Sequence, residues 1–334
     1  MFDKKTIFIT GGTGSFGKAF TRKILEDFNP LRIVIFSRDE FKQHLMMKDP
    51  FFSKHQDKIR YLIGDVRDKE RLKLAFQMEI DILIHAAALK QVETSEYNPF
   101  ETVKTNVLGA QNLIELAIQK KIKKIIALST DKAASPTNLY GATKLVSDKL
   151  FVNANNYGSI SKFAVVRYGN VFNSRGSVVE VFRSMKEKNI FKVTDKKMTR
   201  FNITLDQSIE FVIKSLKNMF GGEIFVPKIP SYKLTDLVKA ISNNGKIKIV
   251  GIRPGEKLHE EMVTSSDSLN CYELNDQFII LPLSFKFLKW NIKNFLNKYK
   301  TSKPKKCREG FSYNSVENKN FLRIKEIQKL LKKY

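Results

Sequence analysis

The stretch Thr6-Ile7-Phe8-Ile9-Thr10-Gly11-Gly12-Thr13-Gly14-Ser15-Phe16-Gly17 runs from an apolar strand straight into a glycine-rich turn. A continuous run of apolar and β-branched residues suits a strand buried on both faces. From Ser15 to Phe28 the apolar spacing becomes helical. Gly11, Gly14 and Gly17 therefore sit between a strand and a helix, with Thr13, Ser15 and Phe16 in the same turn. Glycines there permit a tight turn and let backbone N–H groups approach a pyrophosphate at the helix N-terminus. A P-loop competes for these residues, because Gly12 to Lys18 matches its glycine and lysine spacing. Position 19 is Ala instead of the hydroxyl that holds Mg²⁺, which sets nucleotide hydrolysis aside.

Working outward, Ile33 to Phe36, Arg60 to Ile63, Ile80 to Ala86, Lys124 to Leu128 and Phe163 to Tyr168 read as further apolar strands. Helical patterns lie between them, clearest at Thr102 to Gln119 and Asn138 to Asn156. That alternation predicts an α/β fold with a Rossmann-type, doubly wound parallel sheet. Beyond Asn170 the alternation loosens and Pro and Gly become commoner. We expect a dinucleotide-binding domain over 1–170, rejoined by crossings near 200–228, and a smaller C-terminal α/β lobe and tail over 171–334. The Lys-rich segment Phe285 to Lys306 reads as a solvated amphipathic helix.

The 334-residue chain is 42% hydrophobic, enough for a substantial core. No apolar run reaches the roughly 18–20 residues of a membrane span, and the N-terminus reads as the start of a fold, so no membrane partner is expected. Cys271 and Cys307 cannot make a disulfide framework, which points to the cytoplasm. His44, His55, His85 and His259 lack ligand spacing, so no metal is expected. The net charge of +25 invites a nucleic-acid reading. The lysines are scattered, however, and no stacking motif or zinc ligand set accompanies them. A small polyanionic ligand fits better.

The second strand ends Phe36-Ser37-Arg38-Asp39, where an NAD-binding fold would place an acidic residue. Ser37, Arg38 and Lys42 instead offer a hydroxyl and cations for a 2′-phosphate, which favours NADP, while Asp39 keeps NAD open. Asp65-Val66, after the third strand, suits an adenine contact. Tyr140 and Lys144 stand four apart, on one helix face. An ammonium there can lower the phenol pKa, so that a phenolate takes a proton from a sugar hydroxyl as hydride leaves the carbon.

Together with ITGGTGSFGK, SRDE, GDVRDKERL, HAAALK, EYNPFE, LSTDKAASPTNLYGATK, RYGNV, SRGSVV, MTRF, GGEIFVPKIPS and IRPGEKLHE, these residues resemble a known family. It is the extended short-chain dehydrogenase/reductases, and within them the inverting UDP-N-acetylglucosamine 4,6-dehydratases of pseudaminic-acid-type synthesis. The resemblance implies NADP, a UDP-N-acetylglucosamine substrate and a homo-oligomer, a dimer building into a hexamer. It implies Ala86, Ala87, Lys90 and Thr105 along the cofactor, and Tyr140, Lys144 and Thr130 at substrate O4. Lys132 is implied as the C5 base and Asp131 as the acid for the departing C6 hydroxyl. A cationic neighbourhood of Lys144 and oxidised nicotinamide would keep Lys132 partly neutral. Lys90, Asn170, Thr194, Met198, Arg253 and Glu256 are implied to bind substrate. Gln91, Asn173, Glu180 and Asn202 depart from the family's common His, Gly, Pro and Trp. A UDP-sugar 4-epimerase, a C5-retaining dehydratase and a non-catalytic NADP-binding regulator are the rival readings.

Overall fold

Six strands from the first half of the chain lie side by side in a parallel sheet. They are β1 (Thr6–Thr10), β2 (Arg32–Ser37), β3 (Ile59–Ile63), β4 (Ile82–His85), β5 (Lys124–Thr130) and β6 (Lys162–Tyr168). Their order is 3-2-1-4-5-6, the Rossmann arrangement. Every residue of β1 and β4 is buried, as their unbroken apolar character requires in a sheet covered on both faces. Helix α1 (Ser15–Asp27) turns Phe20, Thr21, Ile24 and Leu25 into that cover. The computed structural model describes residues 1–174, 176–282 and 291–334.

The strand order reverses between β1 and β4, and both neighbours carry the chain away from that point. A crevice opens there, beyond the carboxyl ends of the strands. After β6 the chain leaves the sheet and comes back to it: Ile224–Pro227 pairs parallel with β6, and Gln277–Ile280 pairs antiparallel beyond. Cys271–Glu273 and Lys305–Lys306 close that edge. A second core gathers Phe182, Phe191, Leu237, Val238 and Ile327 beneath small sheets formed by Ile190–Val193 with Lys246–Ile249, and by Thr199–Ile203 with its neighbours.

Two local outcomes differ from the sequence reading. The helix expected over Thr102 to Gln119 is interrupted by a π-helical turn, Lys104–Leu108. The turn swings Asn106 inward, where its side chain exchanges two 2.9 Å hydrogen bonds with the Leu89 backbone and donates to Thr143 Oγ1 at 3.1 Å. Such bulges re-aim side chains at the expense of one regular turn. The amphipathic segment expected from Phe285 begins outside the described residues; within them, helix is confined to Ile292–Lys298 and a following short turn.

Candidate active site

The crevice is a cleft of about 1200 Å³. Its floor is the glycine turn after β1. Gly17 packs directly on Gly12: a Cβ at position 17 would sit 2.5 Å from the Gly12 Cα and carbonyl oxygen. Gly11, Thr13, Gly14, Ser15 and Phe16 line the same wall, with Ala86, Ala87 and Lys90 after β4 and Thr105 from the π-helical turn.

At the end of β2, Ser37 is buried and bonds Thr13 Oγ1 at 2.8 Å. Arg38 is half-exposed, with Nη1 3.6 Å from Asp65 Oδ2. Asp65 is mainly held by Arg67, 2.7 Å away; burial opposes its ionisation, yet the Arg67 bonds keep the carboxyl below its usual range. Asp39 is engaged as a helix cap, accepting from Lys42 N at 2.9 Å while its other oxygen pairs with the Lys42 ammonium. Val66 is buried beside this end of the cleft.

Catalytic candidates converge at the end of β5. The Leu139–Asn153 helix is capped by Asn138, whose Oδ1 accepts from Gly141 N at 2.8 Å. Gly141 lets the helix touch the turn after β5, since a Cβ there would lie 2.2 Å from the Lys132 carbonyl oxygen. That contact sets Tyr140 beside Thr130, Asp131 and Lys132. Thr130 Oγ1 donates to Asp131 Oδ1 at 3.0 Å, and Lys132 Nζ donates to the same oxygen at 3.1 Å. Asp131 is completely buried and does not itself line the cleft. Among the described residues its Oδ2 has no hydrogen-bond partner, and it faces Gly169. Burial raises the Asp131 carboxyl above its ordinary range, against the pull of Lys132.

The charges differ from the sequence reading in two respects. Lys132 is not held neutral. Burial favours the amine, but the carboxylates of Asp131 and Glu260 outweigh it and hold the ammonium above its ordinary range. Nor does Lys144 act on Tyr140 as expected. Burial pushes the phenol up to about 12, and the groups that draw it down are Lys132 and a hydrogen bond with Thr130. Lys144 Nζ instead donates to the Leu128 carbonyl at 2.7 Å, and burial lowers its ammonium despite nearby Asp148.

On the far wall, Asn170 Oδ1 accepts from Lys132 Nζ at 3.3 Å, and Arg253 pairs with Glu93 across the exposed rim at 3.0 Å. Glu256 lines the cleft between Thr194, 3.2 Å away, and Arg200, 3.5 Å away. Thr194 and Met198 stand behind the lining: both are buried, and Met198 Sδ accepts from Arg200 Nη2 at 3.0 Å. Asn173, where the resemblance implies that Gly is common, adopts φ 53°, a left-handed conformation Asn tolerates. Asn202 is buried at the cleft wall, Glu180 closes the first turn of the Val178–Ser184 helix, and Gln91 also lines the cleft.

Sequence reasoning passed over Glu260 and Arg200. Both lie within quoted motifs, IRPGEKLHE and MTRF, but only the fold brings them to Lys132.

Residues 7–282 match the family model described as polysaccharide biosynthesis protein. The chain is 49% identical to a UDP-N-acetylglucosamine 4,6-dehydratase (inverting) of Campylobacter jejuni, over 99% of this chain and 98% of that one. It is 37% identical to a UDP-glucose 4-epimerase of Rickettsia conorii, over 99% and 96% of the two chains. Among solved structures it is similar to Pen from Bacillus thuringiensis, with a TM-score of 0.86 and 37% identity over 100% of this chain and 99% of the other. With that coverage, the chain belongs to the polysaccharide biosynthesis protein family, and within it to the group of the inverting UDP-N-acetylglucosamine 4,6-dehydratases.

Proposed function

We propose that this protein is an NADP-dependent hydro-lyase that dehydrates UDP-N-acetylglucosamine across C4, C5 and C6 with inversion at C5. The product is a UDP-2-acetamido-2,6-dideoxy-β-L-arabino-hexos-4-ulose for surface-glycan synthesis. The observation that carries this reading is the Asp131–Lys132 pair, hydrogen-bonded at the end of β5 beside Tyr140. Alcohol oxidation alone needs Tyr140 and its helpers; elimination of water also needs a base and an acid.

The cleft suits a dinucleotide. Gly17 lets the turn close tightly on the Gly12 backbone, where a Cβ would collide, α1 presents its N-terminus, and Ser37 and Arg38 offer a 2′-phosphate a hydroxyl and a cation. Bound there, the nicotinamide supplies a hydride acceptor for C4 and a donor for C6. Tyr140 takes the O4 proton as a phenolate, which Thr130 and Lys132 favour and burial opposes. The C4 ketone then acidifies C5–H, which Lys132 removes. Asp131, whose burial favours the protonated acid, gives its proton to the C6 oxygen. A proton reaching the opposite face of C5 completes inversion. Lys90 and Arg253, both on the cleft lining, would meet the diphosphate.

We place the enzyme in the cytoplasm. Among the described residues no helix is long and apolar enough to cross a membrane. Tyr97, Phe100, Leu108 and Val146 leave apolar side chains exposed on adjacent helices, which supports self-association.

The test is product NMR after incubation with UDP-N-acetylglucosamine. A 4-keto-6-deoxy sugar of L-arabino configuration, formed without net NADPH, is expected. A D-xylo product would move the chain to the retaining dehydratases, and a C4 epimer with C6 still hydroxylated to the epimerases. Stoichiometric NADPH accumulation would refute internal redox.

A further inference from the structure

Behind Lys132 lies a carboxylate to which the dehydration chemistry above gives no role. Glu260 is 2% exposed, with Oε1 3.4 Å from Lys132 Nζ and 3.6 Å from Arg200 Nε. Its Oε2 has no hydrogen-bond partner among the described residues. The C-terminal segment fixes its backbone: Glu260 N donates to Ser315 Oγ at 2.9 Å, and Ser315 N donates to the Glu260 carbonyl at 2.7 Å. Across Lys132 stands Asp131, also buried and also with one unpartnered oxygen. Charges thus alternate through Asp131, Lys132, Glu260 and Arg200. Around this string, Tyr140, Tyr232 and Lys257 feel its charges, and Glu256 faces Arg200.

We propose that Glu260 is a positioning residue for dehydration: its fixed negative charge keeps one proton shared between Lys132 and Asp131, so that base and acid arise together. The proposal rests on the dehydratase reading. In the resting site the proton is on Lys132 and Asp131 is ionised. Transfer along their 3.1 Å contact leaves a neutral amine and a protonated acid. The amine lone pair takes the C5 proton, the C5–C6 bond becomes double, and the C6–O bond breaks. Asp131 gives its proton to the departing oxygen, which leaves as water. Lys132 is again an ammonium and Asp131 a carboxylate, so the pair returns to its starting state. Glu260 strengthens proton affinity at both members of the pair, because it faces them as an anion. Arg200 lowers the cost of keeping Glu260 ionised, so the shared proton is not drawn onto it. Without that charge the pair loses its proton to solvent at lower pH, and the acid is gone before C6–O can break.

Glu260→Gln keeps the shape and removes the charge. The Lys132 side chain is followed by NMR in NADP-loaded protein carrying ¹³Cε-labelled lysine, its signal assigned by loss in Lys132→Arg. We expect the Lys132 titration and the alkaline limb of the kcat profile to fall together by at least about one pH unit. A unit charge at this separation in an effective dielectric of about 20 is sufficient for that. Glu260→Asp, which withdraws the charge by one methylene, moves both in the same direction by less, and serves if the Gln variant does not fold. An unmoved Lys132 titration overturns the proposal. So does a lower kcat with an unmoved limb, which is what a merely structural role gives. Product NMR on the unsubstituted protein is run in parallel. Absence of the inverted product there fails the dehydratase reading, while the Lys132 titration still judges the Glu260 charge.

Discussion

Replacing Arg38 by Ala separates the two nicotinamide dinucleotides. NADP differs from NAD by a phosphate on the adenosine ribose, and Arg38 is the cation at the end of β2. A charge-assisted hydrogen bond to phosphate contributes roughly 1.5–3 kcal/mol. Engaging it means surrendering the 3.6 Å contact with Asp65, a long contact from a half-exposed guanidinium worth about 0–1 kcal/mol. Asp65 loses little, because Arg67 holds it at 2.7 Å. The difference is about 0.5–3 kcal/mol, so the Kd for NADP should rise roughly 2- to 150-fold in Arg38→Ala. The Kd for NAD should change less than about twofold. Isothermal titration calorimetry with each dinucleotide, at low and high salt, measures both, and the NADP preference should shrink as salt screens the half-exposed guanidinium. Equal losses for the two dinucleotides, or none for NADP, would refute the assignment of Arg38 to the 2′-phosphate.

Lys132→Ala should lose dehydration by about 10²- to 10⁴-fold, the usual worth of a positioned base, while NADP binding persists; in D₂O the unsubstituted enzyme should place deuterium at C5, and near-normal turnover in the variant would sink the base assignment. Gly17→Ala should cost roughly 1–3 kcal/mol of stability and abolish NADP retention, because the new methyl would sit 2.5 Å from Gly12; nucleotide absorbance released on denaturation reports it. His85 carries a pH dependence: burial first, and the Lys144 charge second, push its pKa down to about 3. The unfolded chain protonates near 6.5, so between those values it binds more protons than the fold, and stability falls as pH drops below 6.5. At pH 5 the loss is roughly 2 kcal/mol, and His85→Gln should flatten that slope in urea midpoints; identical slopes would remove His85 as its source.

How much of this was legible in the chain follows from the range of the interactions involved. β1 and β2 announce themselves because a strand buried on both faces must be largely apolar, as in Ile7-Phe8-Ile9 and Ile33-Val34-Ile35, whereas β3, at the sheet edge, is partly exposed and carries Arg60. The glycine turn is legible for the same local reason. The π-helical turn is not: it forms because Asn106 finds the Leu89 backbone and Thr143, partners that no periodicity encodes. Asn173 keeps a left-handed conformation suited to glycine, so that departure from the family pattern preserves backbone shape.

Charge state was the least legible property, because it is a sum over neighbours distant in sequence. Lys132 lies beside Asp131 by sequence but meets Glu260 only because the Glu261–Val263 strand pairs with Tyr313–Asn314 and Ser315 clamps the Glu260 backbone. Stability gives little reason for such a string. Each buried ion costs several kcal/mol to desolvate, and well-packed apolar residues of similar volume usually serve the fold as well or better. The buried Asp148–Arg167–Asp267 cluster has a structural explanation, since Arg167 also donates to the Met262 carbonyl and so ties β6 to the Leu139–Asn153 helix and the returning chain. Both clusters leave a carboxylate oxygen without a partner among the described residues, Asp148 Oδ1 in the first and Asp131 Oδ2 and Glu260 Oε2 in the second; the Asp131–Lys132–Glu260–Arg200 string differs in place, with Lys132, Glu260 and Arg200 at the wall of the cleft. Unspent acceptors on buried acids beside a ligand cleft are poor architecture and serviceable proton chemistry, and they mark the function of this chain more closely than the glycine turn does.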